Sequence, residues 1–420
     1  MSNNFYQETQ ISGGPLVVSH AMPAAQSVAL GVFVDVGSRD ESTAQAGITH
    51  ALEHMLFKGT KRLNVHRLAE KLDELGGNAN AFTSRERTCF HLHVLHEQWR
   101  EALTLLTDMV REPALPEAEW QREREVIFAE IAMVDDTPEE WVMDQHIAAL
   151  FPNHPLGRPV LGNHDALNAL HAEDLSNYLN DHYSAGRILI VAAGHIDHEQ
   201  LVDAVASLNW QPVSADAINR QPPAALAHGL QALPREGEQA QMVLSFPGVR
   251  VDAVDRPQAW LANQILGGGM SSRLFREVRE KRGLAYGVGS HLSTLIDSGI
   301  WSITCGMEPD RAAECCTIIQ DVLDAFAASL NQAELTRAKR QLEVQFRMGL
   351  DSVEGQMLYL GGRLDEAIVL SPLQWLERIN AVDVEMLADW SSAHLSQSGL
   401  WSIAAPGQAL PKICDRIGAC

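Results

Sequence analysis

His50, Glu53 and His54 stand at i, i+3 and i+4 in Thr49-His50-Ala51-Leu52-Glu53-His54-Met55. On a helix this spacing sets two imidazoles and a carboxylate on one face, where they can hold a zinc ion or move a proton. Ile48, Ala51, Leu52, Met55 and Leu56 take the complementary spacing and form one apolar stripe, which predicts an amphipathic helix. Core-filling histidines would fall on that stripe, yet both lie opposite it with Glu53 and Phe57. A solvated polar face has the same pattern, so the motif alone leaves both readings open.

Catalytic zinc commonly takes three protein ligands and keeps a position for water. The third donor must come from elsewhere, and the long helical pattern Glu119-Trp-Gln-Arg-Glu123-Arg-Glu125-Val-Ile-Phe-Ala-Glu130 offers one. Glu123 and Glu130 are two turns apart and share a face, so Glu130 could ligate while Glu123 accepts from a ligand imidazole and fixes its tautomer. Charged helices place Glu at this spacing freely, which leaves an ordinary charged helix open.

The elements that must position these groups repeat. In the first half an alternating strand (Val28, Leu30, Val32, Val34, Val36) leads to the histidine helix, a helix over 65–75, strands over 79–83 and 89–95, a helix over 97–110 and a longer one opening near Pro116. In the second half a strand over 241–246 leads to helices over 257–266 and 272–281, strands over 286–291 and 299–305, a helix over 310–327 and another opening near Gln332. Ala118-Glu-Trp-Gln-Arg-Glu-Arg-Glu echoes Ala333-Glu-Leu-Thr-Arg-Ala-Lys-Arg. This predicts an α+β fold of two homologous α/β domains from an internal duplication, each a mainly antiparallel sheet covered by helices. Residues 1–212 form the metal-binding domain, 213–228 a proline-marked linker and 229–420 the metal-free copy. The segment matching the histidine helix reads Leu261-Ala-Asn-Gln-Ile265, and Gln345 stands opposite Glu130, so a metal site belongs to the first half only.

At 420 residues the chain exceeds one ordinary core, and its 46% hydrophobic and 20% charged content is that of a soluble globular protein. A net charge of −22 argues against nucleic acid, whose backbone is bound by Lys and Arg, and permits a preference for basic substrates. No run is long and apolar enough for a membrane span, and Met1-Ser-Asn-Asn-Phe-Tyr-Gln-Glu lacks the features of a signal peptide. Cys89, Cys305, Cys315, Cys316, Cys414 and Cys420 show no CxxC spacing, which suggests a reducing cytoplasm. His91 and His93 alternate on one strand face without an acid at matching spacing and read as structural. Leu266-Gly-Gly-Gly-Met270 lacks the order of a phosphate loop and reads as a mobile loop or helix stop. Asp135-Asp-Thr-Pro-Glu-Glu140 reads as a charged loop.

His50-Ala-Leu-Glu-His54 followed by Glu130, with Glu123 two turns before it, resembles the inverted zinc motif of the pitrilysin, insulin-degrading enzyme and mitochondrial processing peptidase family. Gly47–Thr60, Gly76-Gly-Asn-Ala-Asn-Ala-Phe-Thr83, His154-Pro-Leu-Gly-Arg-Pro-Val-Leu-Gly162 and Ser271–Tyr286 resemble it too, so the likeness runs over nearly the whole chain. Its length is similar to that of the single-half members, the processing peptidase subunits and their bacterial relatives.

The resemblance implies a zinc endopeptidase acting on peptides or unfolded polypeptide segments, with one zinc per chain held by His50, His54 and Glu130. Glu53 is then the general base toward water, and Glu123 supports a ligand. It implies that Arg279 and Tyr286, in the metal-free half, support the charge developing on the substrate carbonyl. It also implies that Asn78, Ala79, Asn80, Ala81, Phe82 and Thr83 form the edge strand on which substrate is laid. Family members bring the two parts together from different halves across a closed chamber, so a homodimer completing the site in trans is expected. The rival is a non-catalytic or partner subunit, as in a heterodimeric peptidase or the respiratory-complex core proteins; degenerate ligands would mark it, and none has been lost here.

Overall fold

A computed structural model describes residues 5–208, 210, 220–366 and 369–417. Asn209, the first seven residues of the expected linker (213–219) and Cys420 lie outside the described residues.

The first unit is built on β1 (Gln7–Gln10), β2 (Leu16–Ala21), β3 (Ser27–Val34), β4 (Asn78–Thr83), β5 (Thr88–Leu95) and β6 (Ile188–Gly194). They lie in the order β1-β2-β6-β3-β5-β4, antiparallel except for the parallel pair β2 and β6. Val28, Leu30, Val32 and Val34 of β3 face one core together with Ile48, Leu52 and Met55 of the histidine helix. The intervening Ala29 and Phe33 face a second core with Val18, Val191, Val353, Met357 and Leu360. Both faces of the strand are therefore buried, as a sheet covered by helices on both sides requires.

The second unit is built on β7 (Gly229–Pro234), β8 (Ala240–Pro247), β9 (Ala285–Thr294), β10 (Gly299–Met307) and β11 (Leu400–Ala405). Their order is β7-β11-β8-β10-β9, with β7 and β11 parallel and the others antiparallel. Past β1, the two sheets share one order and one pattern of strand directions. The duplication legible in the element order is thus also a duplication of topology.

Packing does not follow the linear division into 1–212 and 229–420. Among the described residues, the first unit comprises those within 1–132, 158–220 and 347–369, and the second those within 133–157, 221–346 and 370–420. Each half of the chain supplies one helical segment to the other unit. The helix Val353–Leu360 covers the first sheet, where a Cβ at Gly31 would meet Met357 Sδ at 2.5 Å. The helix Pro138–Leu150 covers the second: Val142 packs with Val243 and Ala404, and the fully buried His146 bonds Ser245 and Ser402 at 2.7 and 2.8 Å. An apolar helix face read from sequence states that it will be buried, but not against which sheet.

Two local expectations need correction. The charged segment 135–140 is not a loop: the helix Glu117–Asp136 runs through Asp135 and Asp136, and Pro138 opens the next helix. Thr137 alone breaks them, extended at φ −93° and ψ 105° as a residue before proline must be. The expected α-helix over 272–281 is mostly π-helical, over Phe275–Glu280, with Lys281 N–H reaching Arg276 O at 3.0 Å.

Candidate metal centre

The histidine helix spans Ile48–Leu56, and all five stripe residues are fully buried. Its start is set by Gly47, whose φ of 95° an L side chain rarely adopts and where a Cβ would meet Leu161 O at 2.8 Å. Glu41 takes the buried N–H groups that have no intrahelical partner at this end, accepting from Gly47 and Thr49 at 2.9 Å each. Burial nonetheless pushes the Glu41 carboxyl up to about 7, against the pull of those two donors.

The helix Glu117–Asp136 brings the second set of donors. Trp120 and Ile127 anchor it in the core, and Trp120 Nε1 donates to Leu170 O at 2.8 Å. Glu123 lies on the buried side and Glu130 is partly exposed on the same helix.

His50 Nε2 and His54 Nε2 lie 3.2 Å apart, and Glu130 Oε2 lies 3.7 and 3.6 Å from them. A tetrahedral ion with bonds of ~2.0–2.1 Å places its donors roughly 3.4 Å from one another, so these three atoms fit a zinc ion. Among the described residues this is the one group of three or more His, Cys, Asp or Glu that converges in this way. Burial and the neighbouring His54 hold His50 down to about 4, which leaves a neutral ring with a lone pair to give.

Glu123 Oε1 lies 2.9 Å from His54 Nδ1, and its Oε2 accepts from Lys58 Nζ at 2.6 Å. Burial raises the Glu123 carboxyl, but the bonds from Lys58 and His54 prevail and leave it below the usual carboxylate value. An ionised Glu123 can only accept, so His54 Nδ1 carries the proton and its Nε2 lone pair faces the cluster.

Glu53 stands beside the three donors and outside them. Burial raises its carboxyl above the ordinary range, opposed by the hydroxyl of Thr83, which donates to Oε2. Among the described residues Oε1 has no hydrogen-bond partner. Such a carboxylate can accept a proton from a water between it and the donor cluster.

The strand Asn78–Thr83 is β4, the outer strand of the first sheet, paired only with β5 and alternating exposed and half-buried residues. Among the described residues no strand pairs with its other edge, and Ala81 N–H donates to Asn80 Oδ1 at 2.9 Å. In the second unit, the Arg279 guanidinium lies 4.7 Å from the centroid of the Tyr286 ring and equally far from that of Phe275. Tyr286 is the second residue of the outer strand β9 and is 83% exposed. The segment matching the histidine helix here is Arg256–Gly267, which ends at the glycine run as a helix stop.

His91 Nδ1 lies 3.3 Å from Glu354, an acid that sequence spacing could not reveal, and His93 Nε2 bonds Ser27 Oγ at 2.9 Å. Cys89, Cys305, Cys315, Cys316 and Cys414 are all buried, and the first four form no disulfide among the described residues. No described helix is long and apolar enough to cross a membrane. Sequence reasoning missed the supports of the site: Glu41 at the helix start, Lys58 on Glu123 and the bond from Thr83 to Glu53. None has a signal in spacing, because each joins segments that only the fold brings together.

Fold and cluster define a duplicated α+β protein in which, among the described residues, three donors of the first copy alone could hold a metal ion. Residues 16–164 match the insulinase family, peptidase family M16, and residues 169–342 match the peptidase M16 inactive domain. A Streptomyces coelicolor protein named an uncharacterized zinc protease is 35% identical over 389 residues, covering 90% of this chain and 83% of its own. The uncharacterized zinc protease YmxG of Bacillus subtilis is 34% identical over 397 residues, 92% of this chain and 97% of its own. The crystal structure of a peptidase M16 inactive domain from Pseudomonas fluorescens shares the fold with a TM-score of 0.89 at 23% identity, covering 96% of this chain and 98% of that one. A Helicobacter pylori protease does so with a TM-score of 0.89 at 20% identity, covering 96% and 99%. The chain belongs to the M16 (insulinase) peptidase family, in which these sequence relatives are named zinc proteases.

Proposed function

We propose that this protein is a zinc endopeptidase that hydrolyses peptides or unfolded polypeptide segments. The observation that carries the proposal is the convergence of His50, His54 and Glu130 at tetrahedral spacing with a separate carboxylate, Glu53, beside them. Zinc, one per chain, would supply Lewis-acid polarisation of the scissile carbonyl and make water acidic enough to lose a proton near neutrality. Glu53 accepts that proton through its open Oε1 and passes it to the leaving amine. Glu123 holds the His54 ring in the tautomer that presents Nε2.

Substrate pairs with the outer edge of β4, through Asn78, Ala79, Asn80, Ala81, Phe82 and Thr83. Recognition of this kind runs through main-chain hydrogen bonds and tolerates many side-chain sequences. Arg279 and Tyr286 donate toward the carbonyl oxygen as negative charge develops there. The stacking of the guanidinium on the phenol ring supports a shared role, since it holds the two donors as one unit. They act in trans within a homodimeric chamber. The buried thiols of Cys89, Cys305, Cys315 and Cys316 support a reducing cytoplasm as the compartment.

The test is metal analysis of the purified chain, cleavage of a quenched peptide library by that chain alone, and its size by gel filtration. One zinc per chain, cleavage and a dimer support the reading. Metal-free, inactive protein refutes it and favours a partner subunit.

A further inference from the structure

We infer that Thr83 is a positioning residue for Glu53, so that the strand receiving the substrate also aims the base. This rests on the proposed role of Glu53 and goes beyond the backbone contact proposed for Thr83. The Thr83 hydroxyl donates to Glu53 Oε2, and no other described residue bonds that carboxylate. With Oε2 taken, Oε1 is the oxygen left to meet water.

Thr83 can aim Glu53 only if its own backbone is fixed, and the turn that follows is fixed from several sides. Ser38 N–H donates to Ser84 O at 3.1 Å and Arg39 N–H to Arg85 O at 2.8 Å. Arg220 donates to Glu86 O at 3.0 Å while its guanidinium also spans Asp35 and Asp40 at 2.8 Å. The Glu86 carboxylate pairs with Arg39 at 2.6 Å with both side chains buried. The turn also bonds itself, Ser84 N–H to Arg87 O at 2.8 Å, and Thr88 Oγ1 donates to Val36 O at 2.9 Å. Gly37 allows this close approach, since a Cβ there would meet Arg85 O at 2.5 Å. So dense a set of anchors around four turn residues is what preorganisation of the preceding hydroxyl requires.

The test compares Thr83→Val, Thr83→Ser and Thr83→Ala in the zinc-loaded full chain, with Glu53→Gln alongside. Valine keeps the shape and strand preference but removes the donor. Expected are a kcat roughly tenfold or more below the parent in the valine and alanine variants, KM within about twofold, zinc affinity unchanged and near-parental kcat in the serine variant. Parental kcat in Thr83→Val overturns the inference. So does a rise in KM that serine does not rescue, which would make Thr83 a strand residue only. If the valine variant does not fold, the alanine variant against serine decides in the same way. A fully active Glu53→Gln variant would instead overturn the base assignment itself, so the two failures are distinguishable.

Discussion

Glu123 Oε1 accepts a hydrogen bond from His54 Nδ1 at 2.9 Å, and the opposite nitrogen of the same ring lies 3.2 Å from His50 Nε2 and 3.6 Å from Glu130 Oε2. One carboxylate thereby decides which nitrogen of His54 is available to a metal. Lys58 holds that carboxylate from its other side at 2.6 Å.

Glu123→Ala is therefore expected to weaken zinc binding by roughly 10- to 100-fold while leaving all three donors in the chain. Competition with a chelator of known affinity measures this, with a thermal melt to confirm folding. Unchanged affinity would show that the ring is oriented without Glu123.

Glu41 gives a pH dependence of stability. Its carboxyl lies near 7 in the folded chain against an ordinary 4.5, chiefly because it is buried. Between these values the folded chain holds a proton that the unfolded chain has lost, so stability falls as pH rises through the window. The contribution is complete below about 4.5 and lost above about 7. Glu41→Gln cannot titrate and should flatten the slope, changing the stability difference from the parent by on the order of 3 kcal/mol between pH 4 and pH 7.5. Urea unfolding at several pH values reads this directly; a constant difference would contradict it.

The interleaved segments make each linear half an incomplete fold. Residues 1–212 alone would leave Val18, Phe33 and Val191 without Val353, Met357 and Leu360. That fragment is expected to aggregate or bind a hydrophobic dye, and Met357→Ala in the full chain to cost about 2–5 kcal/mol. Cooperative unfolding of a monomeric 1–212 fragment would refute this.

Sequence showed the parts of the site whose spacing is short. His50, Glu53 and His54 were legible because a helix repeats within four residues, and the stripe from Ile48 to Leu56 showed which way they point. Glu130 lies on another helix, so only family resemblance joined it to them. The strand order was half legible: repeated elements showed the duplication, but not that 133–157 and 347–369 pack with the other half's sheet. Asp135–Glu140 was misread because charge and proline mark loops, while here one residue, Thr137, makes the break. The π-helical turn at Phe275–Glu280 has no period that sequence displays. Thr83, Lys58 and Arg220 act through contacts between segments distant in the chain, and no local pattern encodes those.

The central claim is that Glu53 moves the proton while His50, His54 and Glu130 hold the metal. Its most direct test is Glu53→Gln, assayed together for zinc content and for cleavage of a quenched peptide library. Zinc at one per chain with cleavage reduced by at least about a hundredfold is the expected result. Cleavage at the parental rate by the zinc-loaded variant would contradict the account.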